Sequence, residues 1–292
     1  MIDKRNSNKP DWIRVRSAGF NTGNISVTNI ICKTNKMHTV CEEARCPNIG
    51  ECWGSRTATF LAMGDTCTRR CAFCSIKSGV PSRLDGNEPG RIADSINEMG
   101  VKYAVITSVT RDDLQDGGAQ HFAEIIRAIR RNCDGVRIEI LTPDFHYDNK
   151  NIDIVLSEKP DVFAHNLEVV RRFHDTVKKK PADYDKSLSM LKYIKQNGCI
   201  TKSAIIVGFG EDDDEVFESI EEFADIDLDI LTIGQYLRPT EDQIPIHRFV
   251  TPAQFEKYKI IGEKIGIKYV VSGPMVRSSY KAYDGWKAVA GA

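Results

Sequence analysis

The 292-residue chain is 41% hydrophobic, enough for a sizeable core, and its length suits one large α/β domain with appendages or two ordinary domains. A formal net charge of −1 gives no overall basic field, and no apolar run is long enough to cross a bilayer, so neither a nucleic-acid nor a membrane partner is expected. Residues 1–10 are polar and charged, without the apolar stretch of a secretory signal, which points to a cytoplasmic protein.

Periodicity is weak up to about residue 38. Lys9-Pro10-Asp11-Trp12-Ile13-Arg14 reads as an extended arm with Trp12 as its anchor. Residues 38–53, rich in Cys, Gly, Pro and charge, read as a loop with short turns. From Ala58 onward short apolar runs recur at 59–63, 103–107, 136–141, 162–165, 203–207 and 230–233. Amphipathic segments lie between them. In 118–131, Phe122, Ile125, Ile126 and Ile129 follow helical spacing; 184–196 carries Leu188, Leu191 and Ile194 and stops before Gly198, a normal helix-ending residue. Short strands alternating with helices predict βα units and a parallel sheet. Six such units predict an α/β fold of the partial (β/α)6 TIM-type barrel kind, with 268–272 as a peripheral strand. Reactive groups in such barrels sit on loops at the C-terminal ends of strands. The acidic run 211–215 suits the first turn of a helix. Lys178-Lys179-Lys180 reads as a solvated loop, and Arg111-Asp112-Asp113 as a loop with internal ion pairing.

Nine cysteines cannot all pair. Six of them crowd into 41–74 as two trios: Cys41, Cys46, Cys52 and Cys67, Cys71, Cys74. In a reducing compartment, cysteines grouped this closely more often bind metal than form disulfides. Cys32, Cys133 and Cys199 are scattered and read as structural, because free cysteine packs like a small apolar residue. A structural zinc site usually has a fourth Cys or His close by, and none follows either trio closely. Three thiolates on a short segment can instead hold a polynuclear iron cluster and leave one iron open. Spacing alone favours the cluster over zinc and leaves a zinc-binding module open. The histidines read as packed or surface residues, with no metal assigned to them.

The string Cys67-Thr68-Arg69-Arg70-Cys71-Ala72-Phe73-Cys74 resembles the signature of radical S-adenosylmethionine enzymes. In these the open iron binds the methionine end of S-adenosylmethionine, and an electron from the cluster generates a 5′-deoxyadenosyl radical. His38 through Trp53 adds the longer-spaced trio. It is followed in order by 64–74, 107–119, His165-Asn166-Leu167-Glu168, 207–211, 235–240 and Arg277-Ser278-Ser279-Tyr280. Over nearly the whole chain this set resembles the lipoyl synthase family.

That resemblance implies two 4Fe-4S clusters and S-adenosylmethionine. One cluster would sit on Cys67, Cys71 and Cys74; the auxiliary one would be held by Cys41, Cys46, Cys52 and the Ser279 hydroxyl, and would donate the sulfur. The implied reaction inserts sulfur at C6 and C8 of an octanoyl chain in amide linkage to a lysine of a carrier domain, of a 2-oxoacid dehydrogenase or the glycine-cleavage carrier protein. Ferredoxin or flavodoxin is the implied reductant. No side chain is implied as a catalytic acid or base, since the clusters carry the chemistry. Implied cofactor-binding residues are Phe73, Thr107, Ser108, Asn166, Glu168, Gly208 and Gly210, although 166–168 also reads as an ordinary strand end and a lone Gly-x-Gly is weak. The implied division is 1–55 as N-terminal arm and auxiliary-cluster segment, 56–270 as barrel, and 271–292 as the tail carrying the serine. Thr110, Ala164 and Gln243 depart from the family's usual residues; none is expected to touch the trios or Ser279. Two other functions stay open: a biotin-synthase-like enzyme acting on a small free substrate, and an electron carrier with both clusters fully ligated.

Overall fold

Ten strands and eleven α-helices alternate along the chain in a computed structural model that describes residues 9–13, 20–55 and 58–291. The N-terminal stretch runs through α1 (Thr22–Thr34), β1 (His38–Thr39), α2 (Val40–Glu43) and α3 (Ile49–Gly54). The barrel follows as β2 (Thr59–Ala62), a small ribbon of β3 (Thr66–Cys67) and β4 (Lys77–Ser78), α4 (Glu88–Met99), β5 (Tyr103–Ser108), α5 (Ala119–Asn132), β6 (Arg137–Leu141) and α6 (Asn149–Leu156). It continues with β7 (Val162–Ala164), α7 (Arg171–Val177), α8 (Tyr184–Gln196), β8 (Ile200–Val207), α9 (Asp213–Asp225), β9 (Ile230–Gln235), α10 (Pro252–Lys264) and β10 (Tyr269–Gly273), and ends in α11 (Ala282–Ala290).

The large sheet has the order β1-β2-β5-β6-β7-β8-β9-β10, with β1 antiparallel to β2 and every other neighbour pair parallel. All six predicted strands are present, in sequence order, and β10 is the expected peripheral strand. Among the described residues β1 and β10 do not pair with each other, so the barrel is open.

Alternation divides each strand between two environments. Ala104 and Ile106 of β5 and Ile138 and Ile140 of β6 pack outward with Ile92, Ile96, Phe122 and Ile126 of the flanking helices. Tyr103, Val105 and Val162 pack on the other face with Ala282 and Trp286 of α11. The same inner region holds a buried ion pair, Lys202 Nζ to Glu139 Oε1 at 2.7 Å, with the Tyr103 hydroxyl donating to Glu139 Oε2 at 2.7 Å. Because Tyr103 and Arg137 begin their strands, and Arg137 lies over the Trp286 ring at 4.8 Å, α11 closes the N-terminal end of the barrel. The opposite end is left for a site.

Two expectations for the N-terminal region are corrected. Residues 38–53 are not merely a loop: Thr39 caps α2 by accepting the Glu42 N–H at 3.3 Å, and α3 follows. The arm does not hang on Trp12, which is 43% exposed; Ile13 is the buried residue, and its N–H closes a turn onto Pro10 O at 3.0 Å. Arg14 and residues 1–8 lie outside the described residues. Helix α1 escaped the periodicity reading because its buried contacts are small or polar, with Thr28 beside Ile31 and Cys32.

Candidate active site

The loops at the C-terminal strand ends enclose a cavity of about 650 Å³. All six cysteines of the two trios line it, together with Phe73, Thr107, Ser108, Asn166, Glu168, Ser278 and Ser279. Gly208 and Gly210 do not. Gly208 has φ 121° and a Cβ there would lie 2.3 Å from Gln235 Nε2, so glycine is required by packing. The Gly208 and Phe209 N–H groups donate to the buried Glu211 carboxylate at 2.6 and 2.9 Å. The glycine pair thus shapes a turn behind the cavity, and the acidic run divides between this anchor and the Asp212–Glu215 capping box of α9.

Loop 67–74 leaves β3 and is fixed by Arg69. The Arg69 guanidinium forks onto Asp112 (2.6 and 2.9 Å) after β5 and onto Asp144 (2.5 and 3.0 Å) after β6. Asp112 therefore serves the cysteine loop, while Arg111 pairs with Asp113 as expected. The Ala72 N–H donates to Val177 O at 2.7 Å, and Cys71 Sγ donates to Lys178 O at 3.3 Å. Lys178 is corrected from the solvated run: it lines the cavity and donates to Asn166 O at 2.5 Å, whereas Lys179 and Lys180 are exposed. Two departures from the family pattern do reach the trio. The Thr110 N–H lies 3.4 Å from Cys67 Sγ, and Gln243 Nε2 donates to Cys74 O at 3.2 Å.

The buried Asp144 carboxyl is pushed up by desolvation, but its hydrogen bonds to Arg69 and the guanidinium charge hold it below the usual carboxylate range. A lowered folded pKa means that the stabilisation is complete above the unfolded value of about 3.9 and is lost as the pH falls through the folded value. Asp144→Asn is therefore expected to lower the unfolding free energy of the metal-free protein by about 2 kcal/mol at neutral pH, as for a lost charge-assisted bond. In denaturant titrations the gap to the parent should narrow as the pH drops below about 4. An unchanged midpoint at neutral pH would show that the clamp contributes nothing.

The second trio comes from α2, α3 and the turn between them. The C-terminal segment 274–281 straps across it. Asn48 Nδ2 donates to Met275 O at 2.7 Å, and the Tyr280 hydroxyl donates to Glu51 Oε1 at 3.0 Å. The strap also reaches the opposite wall, where Ser278 Oγ donates to Asn166 Oδ1 at 3.2 Å. Gly234 in β9 admits it: a Cβ there would lie 2.1 Å from Val276 O. Nothing in the sequence pattern singled out Gly234. Gly234→Ala is expected to lift the strap and lower stability by about 1–3 kcal/mol, the usual range for overpacking; an unshifted thermal midpoint would contradict this.

Burial raises the Cys71 thiol to about 11 and the Cys74 and Cys52 thiols to about 12, and lifts Cys41 as well. Metal binding must displace these protons. Among the described residues no three His, Cys, Asp or Glu side chains converge as a single ion requires. Thiols spread around one cavity fit the larger body of an iron–sulfur core. The polar lining fits a small polar ligand: Ser108 Oγ and Thr142 Oγ1 are buried without partners. Thr107 Oγ1 is already committed to Leu141 O at 2.8 Å. Glu168 adopts a left-handed φ of 73°, a strain of about 1 kcal/mol or more, and accepts Asn166 Nδ2 at 3.0 Å. Burial raises its carboxyl, with Lys178 opposing. His165 is locked between Thr142 O and Ser187 Oγ and is pushed down by burial to about 3, a packed neutral imidazole as expected.

The Radical SAM superfamily pattern matches residues 61–223. The chain is 47% identical over 281 residues to the lipoyl synthase of Rubrobacter xylanophilus, covering 94% of this chain and 86% of that one. It is 48% identical over 281 residues to the lipoyl synthase of Myxococcus xanthus, with 94% and 93% covered. In three dimensions it resembles an FeFe-hydrogenase maturase (TM-score 0.59, 14% identity, 95% of this chain and 61% of that one) and methylornithine synthase (0.54, 15%, 88% and 80%), a likeness of fold. With cysteine-lined strand ends and relatives of this identity over nearly its whole length, the chain belongs to the lipoyl synthase family of the radical S-adenosylmethionine superfamily.

Proposed function

We propose that the two cysteine trios bind two 4Fe-4S clusters with separate tasks, Cys67, Cys71 and Cys74 generating the radical, and Cys41, Cys46, Cys52 and Ser279 holding the cluster that is consumed as sulfur donor. The observation that carries this reading is that both trios and Ser279 face one cavity although they lie as far as 238 residues apart in sequence, from 41 to 279. The chain is a radical S-adenosylmethionine sulfurtransferase that inserts sulfur at C6 and C8 of a protein-bound octanoyl-lysine. Bound S-adenosylmethionine on a 4Fe-4S cluster supplies hydrogen abstraction from unactivated carbon.

The chain's own residues position and shield. Arg69 fixes the height of the first trio through two other loops. In the proposed arrangement Ser108 and the Asn166–Glu168 pair face the cofactor, with Phe73 and Leu237 as apolar wall; the orphaned Ser108 hydroxyl supports this. In the proposed arrangement Ser279, on the strap, completes the second trio, where a harder oxygen donor is more easily released than a thiolate; its place in the lining of the same cavity supports this. Residues 1–55 and 271–292 are proposed as the auxiliary-cluster segments and 56–270 as the barrel.

The substrate is an octanoylated carrier protein; the carrier domain of a 2-oxoacid dehydrogenase or of glycine cleavage is proposed, with ferredoxin or flavodoxin as electron donor. A cytoplasmic location suits exposed clusters. Among the described residues no helix is long and apolar enough to cross a membrane. Anaerobic incubation with an octanoyl-lysine peptide, S-adenosylmethionine and dithionite is expected to yield a peptide bearing two added sulfurs by mass spectrometry. Sulfur insertion into a small free substrate in its place, with the peptide untouched, would favour the biotin-synthase-like alternative.

A further inference from the structure

The strap carries a cation that the ligand assignment leaves unexplained. Arg277 lines the cavity, and its Nη1 donates to the carbonyl of its own neighbour, Val276, at 2.6 Å. Among the described residues no carboxylate lies within ion-pair distance of it. The contrast with Arg69, which faces the same cavity and holds two aspartates, is direct. A guanidinium has five N–H donors, and among the described residues the one bond formed by that of Arg277 is the one to Val276 O. A desolvated cation without a counter-charge is strongly unfavourable, so an anion is expected to enter its part of the cavity.

Position says which anion. The strap is tied to the segment of the longer-spaced trio on both sides of Arg277, with Asn48 Nδ2 donating to Met275 O at 2.7 Å and the Tyr280 hydroxyl to Glu51 Oε1 at 3.0 Å, and Asn48 and Glu51 neighbour Cys46 and Cys52 in the chain. Two residues onward stands Ser279, and Gly234 lets the strap lie close enough that Arg277 Nη1 would be 3.3 Å from a Cβ at that glycine. Lys178 takes the corresponding place beside the other trio, lining the cavity with its carbonyl accepting from Cys71 Sγ at 3.3 Å. Each trio thus has its own cation.

We propose that Arg277 is the counter-charge of the iron–sulfur core held by Cys41, Cys46, Cys52 and Ser279, donating N–H groups to its sulfur atoms. This rests on the sulfur-donor reading of that site. A positive charge beside an anionic core makes added electrons more favourable, and charge-assisted hydrogen bonds slow its release. Arg277 would then hold the donor together until sulfur is taken from it.

The test uses full-length protein in which Cys67, Cys71 and Cys74 are alanine, so that the second site alone is loaded. R277Q is expected to shift the cluster's midpoint, followed by electron paramagnetic resonance, to a more negative potential. It should also release iron to a chelator about tenfold faster, as for one lost charge-assisted hydrogen bond. R277K keeps the charge without the planar fork, and should hold the midpoint near the parent while losing iron less than about threefold faster. Circular dichroism verifies that both variants fold. Unchanged midpoint and release in R277Q would overturn the proposal. So would weakened S-adenosylmethionine binding by R277Q in the otherwise unaltered protein with the cluster unaffected, which would assign the guanidinium to the cofactor carboxylate. A parent that binds no iron at the second site would overturn both this proposal and the reading beneath it.

Discussion

Cys71→Ala is expected to abolish 5′-deoxyadenosine formation, and with it all lipoyl product. Cys71 is the central thiol of loop 67–74, and its backbone is held on both sides by the Ala72-to-Val177 hydrogen bond and the Arg69 clamp. Removing that thiol leaves two cysteines on the loop, too few for the proposed three-cysteine cluster. Anaerobic chromatography of the nucleoside product gives the measurement, and sustained cleavage of S-adenosylmethionine by the variant would refute the assignment. On the proposed two-cluster assignment iron content should fall by about half, because the second trio is unaltered.

Cys46→Ala is expected to show the opposite separation. Cofactor cleavage should continue within about tenfold of the parent, while doubly sulfurated peptide falls to background. The physical basis is spatial independence. Cys46 sits in the turn between α2 and α3, held by its own N–H to Cys41 O at 3.0 Å, while the Arg69 clamp that positions the other trio is built from different loops. Product should appear at neither C6 nor C8, since the proposal draws both sulfurs from the same donor. Normal lipoyl formation by this variant would remove the sulfur-donor role. Loss of cleavage as well would mean that the trios act as one unit, not two.

The two variants read different halves of one cavity, and the strap is what joins them. Ser278 bonds to Asn166 on the cofactor side, while Tyr280 bonds to Glu51 on the donor side. Ser279 lies between those two anchors. A segment tied at both walls can present a hydroxyl with little remaining conformational freedom, as the proposed ligand role of Ser279 requires.

Local pattern made most of the scaffold legible. The six apolar runs and the amphipathic stretches 118–131 and 184–196 each carry a period that one buried face imposes, and the observed β5, α5, β6 and α8 follow them closely. Helix α1 was not legible, because Thr28 and Cys32 bury a face that hydrophobic period does not reveal. Gly208 and Gly210 looked like a ligand-facing pair, yet their spacing serves the turn onto Glu211 and close packing against Gln235. Lys178 looked like one of three equivalent surface lysines; only the fold turns it inward while its neighbours stay in solvent.

By itself the sequence determined the grouping of six cysteines into two trios and the repeating βα order, because cysteine spacing and hydrophobic period are short-range properties written in neighbouring residues. Tertiary structure alone decided that the two trios and Ser279 line the same cavity, that Gly234 clears room for the strap, and that Arg277 lines that cavity with no carboxylate paired to it among the described residues. Those facts depend on contacts between segments far apart in sequence, 42 residues for Gly234 and Val276 and 227 for Asn48 and Met275, where closing the chain, not local preference, sets which groups meet.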